Sequence, residues 1–314
     1  MKDLNINFPL DKFEKLIVDI GWESLDDWIN FWNNQKNILS IDHFWNHKVN
    51  DDWIWGLALP ILGQAYRFQK NFSDRKIIGI SALPGTGKST LGKWLEAISL
   101  KLNFKIAVIS IDDFYLPSDE MKIAIKNNPW NVSRGFPGSH SVKLMYEKLL
   151  SWKENGELNV PVFDKSLRNG LGDRSHWRSD NPDLLILEGW FLGIEPLFID
   201  INDQPMKSAN LSAHESSYRF NIQKNLYEYL DVWSLIDNIW HLKPLMFEYM
   251  NMWKSNQEEE MFLHKGNALQ DEKLSNFLRM LNVSIPHKSF DVMNSYALLL
   301  IDQERNLVEV GLNL

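Results

Sequence analysis

The sequence predicts an α/β fold, a parallel sheet flanked by helices, preceded by an all-helical N-terminal subdomain. Three observations carry this. Short apolar runs at 76–81, 106–111, 184–187 and 236–242 alternate with stretches of helical periodicity, the pattern of strands joined by crossover helices. The run from Ile106 to Ile111 lacks the polar alternation of a half-solvated strand, as expected where both faces are covered. The run Lys76 to Ser81 stops at the Gly-rich turn Ala82-Leu83-Pro84-Gly85-Thr86-Gly87, which passes straight into a helical pattern at Leu91, Leu95, Ile98 and Leu102.

That turn is the strongest chemical signal in the chain. Strand, Gly-rich loop and helix is the context of a phosphate-cradling loop, whose backbone N–H groups join the helix N-terminus as an anion site. Pro84, Gly85, Thr86, Gly87, Lys88, Ser89 and Thr90 are the nucleotide-binding candidates. Lys88 would reach the outer phosphates and the Ser89 hydroxyl would bind Mg²⁺. Ala82 stands where the usual pattern begins with Gly, which requires only that its backbone avoid a Gly-only conformation.

At 314 residues the chain admits one large α/β domain with an appended subdomain, and the polar stretch 71–75 divides it into 1–75 and 76–314. A 44% apolar composition supplies a sizeable core. The net charge of −8, without a long basic run, weighs against nucleic acid or an anionic membrane as partner. No cysteine is present, so disulfides and Cys-based metal sites are excluded. Met1 to Leu10 lacks a basic segment leading into an apolar one, and no apolar stretch approaches ~18 residues. A cytoplasmic protein, monomeric by default, is the expectation.

Before the boundary, Phe13, Leu16, Ile17 and Ile20 mark one amphipathic helix, and Trp28, Ile29 and Trp32 another, with Ser24 as N-cap. A third runs from about Asp51 to Phe68. Trp22, Trp28, Trp32, Trp45, Trp53 and Trp55 suit packing between these helices, with stacking on a ligand as the alternative. Beyond the second strand come Asp112-Asp113-Phe114-Tyr115, then a polar helix ended at Asn128-Pro129. Ligands of open α/β sheets bind beyond the carboxyl ends of the strands, which is where Asp112 and Asp113 fall. The turn formers of 134–140 lead into a helix through Val142, Met145, Leu149 and Trp152 that Gly156 can end. The stretch 161–174 shows no periodicity and reads either as a solvated loop or as a substrate-binding one. Glu188 ends the third strand, where an acid pairs with a phosphate loop to hold Mg²⁺. Residues 200–217 are polar and irregular, followed by a helix from Tyr218 to about Leu230. A long helix opened by Pro244 and running to about His264 is either a lid over the phosphates or a plain surface helix. Tyr296 to Ile301 and Leu307 to Leu312 read as a hairpin at the sheet edge.

Together these features point to transfer of a phosphoryl group to a small molecule. A carboxylate at Asp112 can take the proton of an attacking hydroxyl, with Asp113 as the alternative. Arg134, His140, Lys165, Arg168 and Arg174 lie on loops assigned to the same end of the sheet, and arginine pairs well with a carboxylate or phosphate.

The blocks Ser81 to Thr90, Ser110 to Tyr115, Arg134 to His140, Pro161 to Ser166 with Gly172-Asp173-Arg174, and Leu187 to Trp190 resemble the D-glycerate 3-kinases of plants and cyanobacteria. That family belongs with the phosphoribulokinase, uridine kinase and pantothenate kinase group of P-loop kinases, and the resemblance covers roughly residues 76–301. It implies a P-loop kinase sheet, Mg-ATP as donor, D-glycerate as acceptor and 3-phospho-D-glycerate as product. It also implies Asp112 as catalytic base, Lys88 as a catalytic residue on the phosphates, Ser89 and Glu188 at the metal, and Asp113, Tyr115, Arg134, His140, Asp164, Lys165, Arg168 and Arg174 around the acceptor. Trp253-Lys254 with Gln257-Glu258 resembles the family's late lid helix, with Lys254 where Arg is expected. Ser141 and Phe163 stand where relatives often carry Asp and Tyr. The alternatives are a kinase of the same group acting on another small alcohol, such as pantothenate or a nucleoside, and a nucleotide-binding regulatory protein without turnover.

Overall fold

The computed structural model describes residues 6–35, 51–71, 73–197, 211–265 and 268–313. Trp45 and the polar stretch 200–210 lie outside them.

Helices α1 (Leu10–Asp19) and α2 (Leu25–Asn34) form where apolar residues recur every three or four positions, and Phe13, Leu16, Ile17, Trp28 and Trp32 are buried. The Ser24 hydroxyl accepts from the Asp27 N–H and so caps α2. The third helix is broken near its start. A π turn at Ile54–Ala58 closes with Leu59 N–H on the Ile54 carbonyl, and α3 (Leu59–Asn71) follows. Pro60 has no N–H with which to continue an α ladder through this point.

Strand β1 (Ile77–Ala82), helix α4 (Lys88–Lys101) and strand β2 (Ile106–Ser110) follow the predicted order. The chain then makes a short turn at Ile111–Phe114, helix α5 (Ser118–Ala124) and helix α6 (Val142–Asn155). Gly156 ends α6 at φ +85, the left-handed cap its position predicts. The stretch read as aperiodic over 161–174 is the tip of a hairpin, its connecting loop with the strand ends on either side. Strands β3 (Leu158–Asp164) and β4 (Asp173–Asp180) pair antiparallel, with a register shift between Val162 and Phe163. Strand β5 (Leu184–Gly189) returns to the main sheet.

Helix α7 (Ala213–Ser234) starts well before Tyr218, because Ser212 and Glu215 form a reciprocal capping box. Pro244 closes strand β6 (Asn238–Pro244) rather than opening a helix, and α8 (Tyr249–Lys265) begins later. Helices α9 (Asp271–Val283) and α10 (His287–Asp291) precede the predicted C-terminal hairpin, β7 (Ala297–Ile301) and β8 (Leu307–Leu312).

The main sheet has the order β2-β5-β1-β6-β7-β8, parallel except for β8. Helices α1 to α4 cover one face, where Trp22, Trp28, Trp32 and Trp53 join Ile78, Trp240 and Leu299 in one buried cluster. Helices α6 and α7 cover the other with Met145, Leu149, Ile222 and Leu226. The edge strand β2 is protected by side chains. Glu96 accepts from the Val108 N–H at 2.8 Å, and Arg178 donates to the Val108 carbonyl at 3.2 Å. Among the described residues no helix is long and apolar enough to cross a membrane.

Candidate active site

Strand β1 delivers the phosphate loop. Ala82 is its last residue, in extended backbone without a positive φ, so no glycine is needed there. Thr86 closes the loop from inside, its hydroxyl donating to the Leu83 carbonyl at 2.9 Å. Gly85 and Gly87 have φ of +80 and +96, which side chains other than glycine adopt only with strain. The first donors within α4 are Thr90 and Leu91, both bonded to the Gly87 carbonyl at 3.0 Å. The N–H groups of Gly87, Lys88 and Ser89 are therefore not consumed by the helix and stand at its positive end. With Pro84 in the loop and Thr90 in the first turn, all the nucleotide-binding candidates fall on one element.

Strand β5 lies between β1 and β2, so Glu188 is level with both Ile80 and Ser110. Its carboxylate accepts from the Ser89 hydroxyl at 3.4 Å and lies 3.8 Å from the Lys88 ammonium. Burial raises the Glu188 pKa, and Lys88 opposes the shift. Glu188 Oε2 is buried without a hydrogen-bond partner. A hydroxyl and a carboxylate with an unspent oxygen fit Mg²⁺, which takes few protein ligands when phosphate oxygens complete its shell. Among the described residues no cluster of three or more acidic, His or Cys ligands forms.

Asp112 sits in the turn after β2. Lys165, on the β3–β4 connection, donates to Asp112 Oδ2 at 2.6 Å, and His140 Nε2 lies 3.9 Å from Oδ1. Burial favours the neutral acid at Asp112, but Lys165 and His140 outweigh it and hold its pKa well below the usual carboxylate range. Lys165 is exposed, and Asp112 outweighs the desolvation that opposes its charge, so its pKa is raised. The pair is thus carboxylate and ammonium at neutral pH. Asp113 is spent on structure: its Oδ2 accepts from the Ser110 N–H at 3.0 Å and its Oδ1 from the Phe163 N–H at 3.5 Å. Burial raises its pKa. Tyr115 is buried and stacks on the His140 ring at 4.5 Å.

The remaining acceptor-site candidates hold the hairpin in place. Arg134 donates to the carbonyls of Gly170 at 3.0 Å and Leu171 at 2.6 Å. Arg168, at the hairpin tip, pairs with Asp173 at 3.1 Å. Arg174 donates to the Ser141 hydroxyl at 2.6 Å, and Asp164 accepts from the Ser166 N–H at 2.8 Å. Of this predicted set, Lys165, His140 and Tyr115 are the ones whose side chains interact with Asp112. A cleft of about 530 Å³ between Arg75-Lys76 and Asn155 to Glu157 has none of these residues in its lining.

No family model matches the chain. It is 32% identical over 215 residues to an uncharacterized kinase of Schizosaccharomyces pombe, covering 64% of this chain and 76% of that protein. It is also 32% identical over 215 residues to the chloroplastic D-glycerate 3-kinase of Arabidopsis thaliana, of whose length it spans 45%. The solved structure of a D-glycerate 3-kinase from Cryptococcus neoformans has the same fold, with a TM-score of 0.67 at 23% identity over 80% of this chain and 96% of that one. The chain belongs to the same kinase family as the Schizosaccharomyces pombe protein.

Within that family this member's departures have local explanations. Ser141 precedes α6 but makes no cap hydrogen bond, because its hydroxyl serves Arg174. Phe163 packs edge-on to Tyr115 at 5.1 Å, and a Cβ on Gly172 would lie 2.3 Å from its ring. The kinase's helix α8 is seated on the phosphate loop, since a Cβ on Gly85 would lie 2.6 Å from the Trp253 carbonyl carbon. Next to it, Lys254 and Glu258 form a buried ion pair. Burial lowers the Lys254 pKa, and Lys165 and Lys88 add to that, so all three ammonium groups share one field. The residue that sequence reading missed is Tyr229 on α7, whose hydroxyl lies 2.8 Å from His140 Nδ1. Its position within a helix carries no chemical signal in the sequence.

Proposed function

We propose that the protein transfers the γ-phosphoryl group of Mg-ATP to the 3-hydroxyl of D-glycerate, yielding 3-phospho-D-glycerate and ADP. The observation that carries this reading is the meeting of a donor half and an acceptor half at the carboxyl ends of β1, β5 and β2. The donor half is the phosphate loop with Lys88, Ser89 and Glu188, and the acceptor half is Asp112 with Lys165. The family relationship supports it from the side of sequence.

In this reading the loop N–H groups and Lys88 bind the β- and γ-phosphates, and Ser89 and Glu188 would hold a Mg²⁺ ion, which would supply charge neutralisation. Lys165 occupies Oδ2 of Asp112. The acceptor hydroxyl then lies against the open side of the carboxylate. Its oxygen forms the new bond to the γ-phosphorus, its proton passes to Asp112, and the bond to the β-phosphate oxygen breaks to release ADP. The Lys165 ammonium also offers a counter-charge to an acceptor that carries a carboxylate, which favours a hydroxy acid over a neutral alcohol. The test is to incubate the purified protein with ATP, Mg²⁺ and D-glycerate and identify the phosphorylated position. Formation of 3-phosphoglycerate supports the reading. Acceptor-dependent ADP release with pantothenate or a nucleoside, and none with D-glycerate, would move the protein to another substrate.

A further inference from the structure

We infer that Tyr229 and His140 form a buried positioning pair, in which the phenol fixes the imidazole as the Nε2–H tautomer and so directs an N–H at the Asp112 carboxylate. The inference rests on the reading of Asp112 as the base and assigns Tyr229, outside the phosphate loop and the hairpin, to the same site.

Tyr229 is fully buried on α7. Its oxygen accepts from the Gly138 N–H at 3.2 Å and lies 2.8 Å from His140 Nδ1. A phenol has one proton to give, and a buried donor left unmatched is costly. His140 Nδ1 is the acceptor within reach. The other group near Nδ1 is the Ser139 hydroxyl at 3.5 Å, which already donates to the Phe136 carbonyl at 2.6 Å and accepts from the Gly135 N–H at 3.3 Å. Nδ1 therefore carries the lone pair, and a neutral ring must carry its hydrogen on Nε2.

Nε2 is buried without a hydrogen-bond partner, and the polar atom it faces is Asp112 Oδ1 at 3.9 Å. That separation is too long for a hydrogen bond but close enough for the direction of the N–H dipole to matter in a buried site. With the hydrogen on Nε2 the ring attracts the carboxylate, whereas the other tautomer would aim a lone pair at it. The ring cannot easily turn over, being stacked on Tyr115 at 4.5 Å and met edge-on by Phe191 at 5.7 Å. Asp112 is thus flanked by Lys165 on Oδ2 and by an N–H facing Oδ1, both favouring an ionised carboxylate in one orientation.

The test uses the full-length protein. Long-range ¹H–¹⁵N correlation of the histidine rings reads the tautomer directly. The wild type should show His140 with a protonated Nε2 and an unprotonated Nδ1, and Tyr229→Phe should lose that single-tautomer signature. In turnover, Tyr229→Phe should lower kcat by up to ~10-fold, the worth of one buried hydrogen bond between neutral groups, with KM for ATP unchanged. His140→Gln retains an N–H donor and should stay within about threefold of wild type, whereas His140→Ala should lose ~10-fold or more. A wild-type spectrum with the proton on Nδ1 would overturn the inference. So would full kcat in Tyr229→Phe, or equal losses in His140→Gln and His140→Ala. If no acceptor is phosphorylated at all, the proposed reaction fails, and the ring spectra of wild type and Tyr229→Phe still decide the tautomer.

Discussion

Substituting Ala at Gly85 and at Gly87 separates backbone strain from the seating of helix α8. Both glycines have positive φ, +80 and +96, so Ala at either should cost about 1–2 kcal/mol for a left-handed backbone. Their surroundings differ. A Cβ at Gly87 meets nothing within 4 Å, whereas one at Gly85 lies 2.6 Å from the Trp253 carbonyl carbon and 2.8 Å from its Cβ. Trp253 cannot yield cheaply, being buried with its indole N–H donating to the Gln303 carbonyl at 2.7 Å. Displacing such a packed element adds about 1–3 kcal/mol. Gly85→Ala should therefore cost about 2–5 kcal/mol and Gly87→Ala about 1–2 kcal/mol, read from urea unfolding of each variant beside wild type. Equal losses would mean that α8 does not rest on the phosphate loop.

Three further predictions concern charge. Lys165→Met removes the cation that most lowers the Asp112 pKa. Asp112 then protonates at higher pH, so the acid limb of the kcat/KM profile should move upward, and an unmoved limb would deny the coupling. Glu215 has its pKa lowered from 4.5 to about 2, chiefly by its hydrogen bonds with Arg279. A depressed folded pKa contributes stability that is present above the unfolded value and lost as pH falls toward the folded one. Glu215→Gln should thus be less stable than wild type at neutral pH, the gap closing between 4.5 and about 2, and a gap independent of pH in unfolding curves would contradict it. Ser89→Ala should raise the Mg²⁺ concentration for half-maximal turnover by ~10-fold or more, since it removes a hydroxyl beside Glu188, and an unshifted Mg²⁺ titration would remove Ser89 from the metal site.

The phosphate loop was legible because its requirements are local: a strand end, two glycines with positive φ, and a helix begun at Lys88. The places of Asp112 and Glu188 were legible for a related reason, since each follows an apolar run that could only be a buried strand. The hairpin was not. Its pairing joins residues as distant as Leu158 and Asp180, and β4, Asp-Arg-Ser-His-Trp-Arg-Ser-Asp, has no apolar alternation because little of it is buried. The arginines there read as ligands for an anion because their charge is visible in sequence while the carbonyls of Gly170 and Leu171 that engage Arg134 are not. Helix α7 was read short because a capping box is a weak signal inside a polar stretch. Helix α9 lies outside the predicted elements although Phe277, Leu278 and Leu281 recur at helical spacing. Strand order, which inserts β5 between β1 and β2 and so brings Glu188 between the loop and Asp112, depends on sheet assembly alone.

The central claim is that Asp112 serves as the base for phosphoryl transfer to an acceptor held at the hairpin. Its most direct measurement is D-glycerate-dependent ADP release by wild type and Asp112→Asn at saturating Mg-ATP, with ATP affinity determined separately. The account predicts that the asparagine variant binds ATP as wild type does and turns over ~10²-fold more slowly or worse. An unaltered rate in Asp112→Asn, or a wild type that binds ATP and releases no ADP with any hydroxy acid, would contradict it.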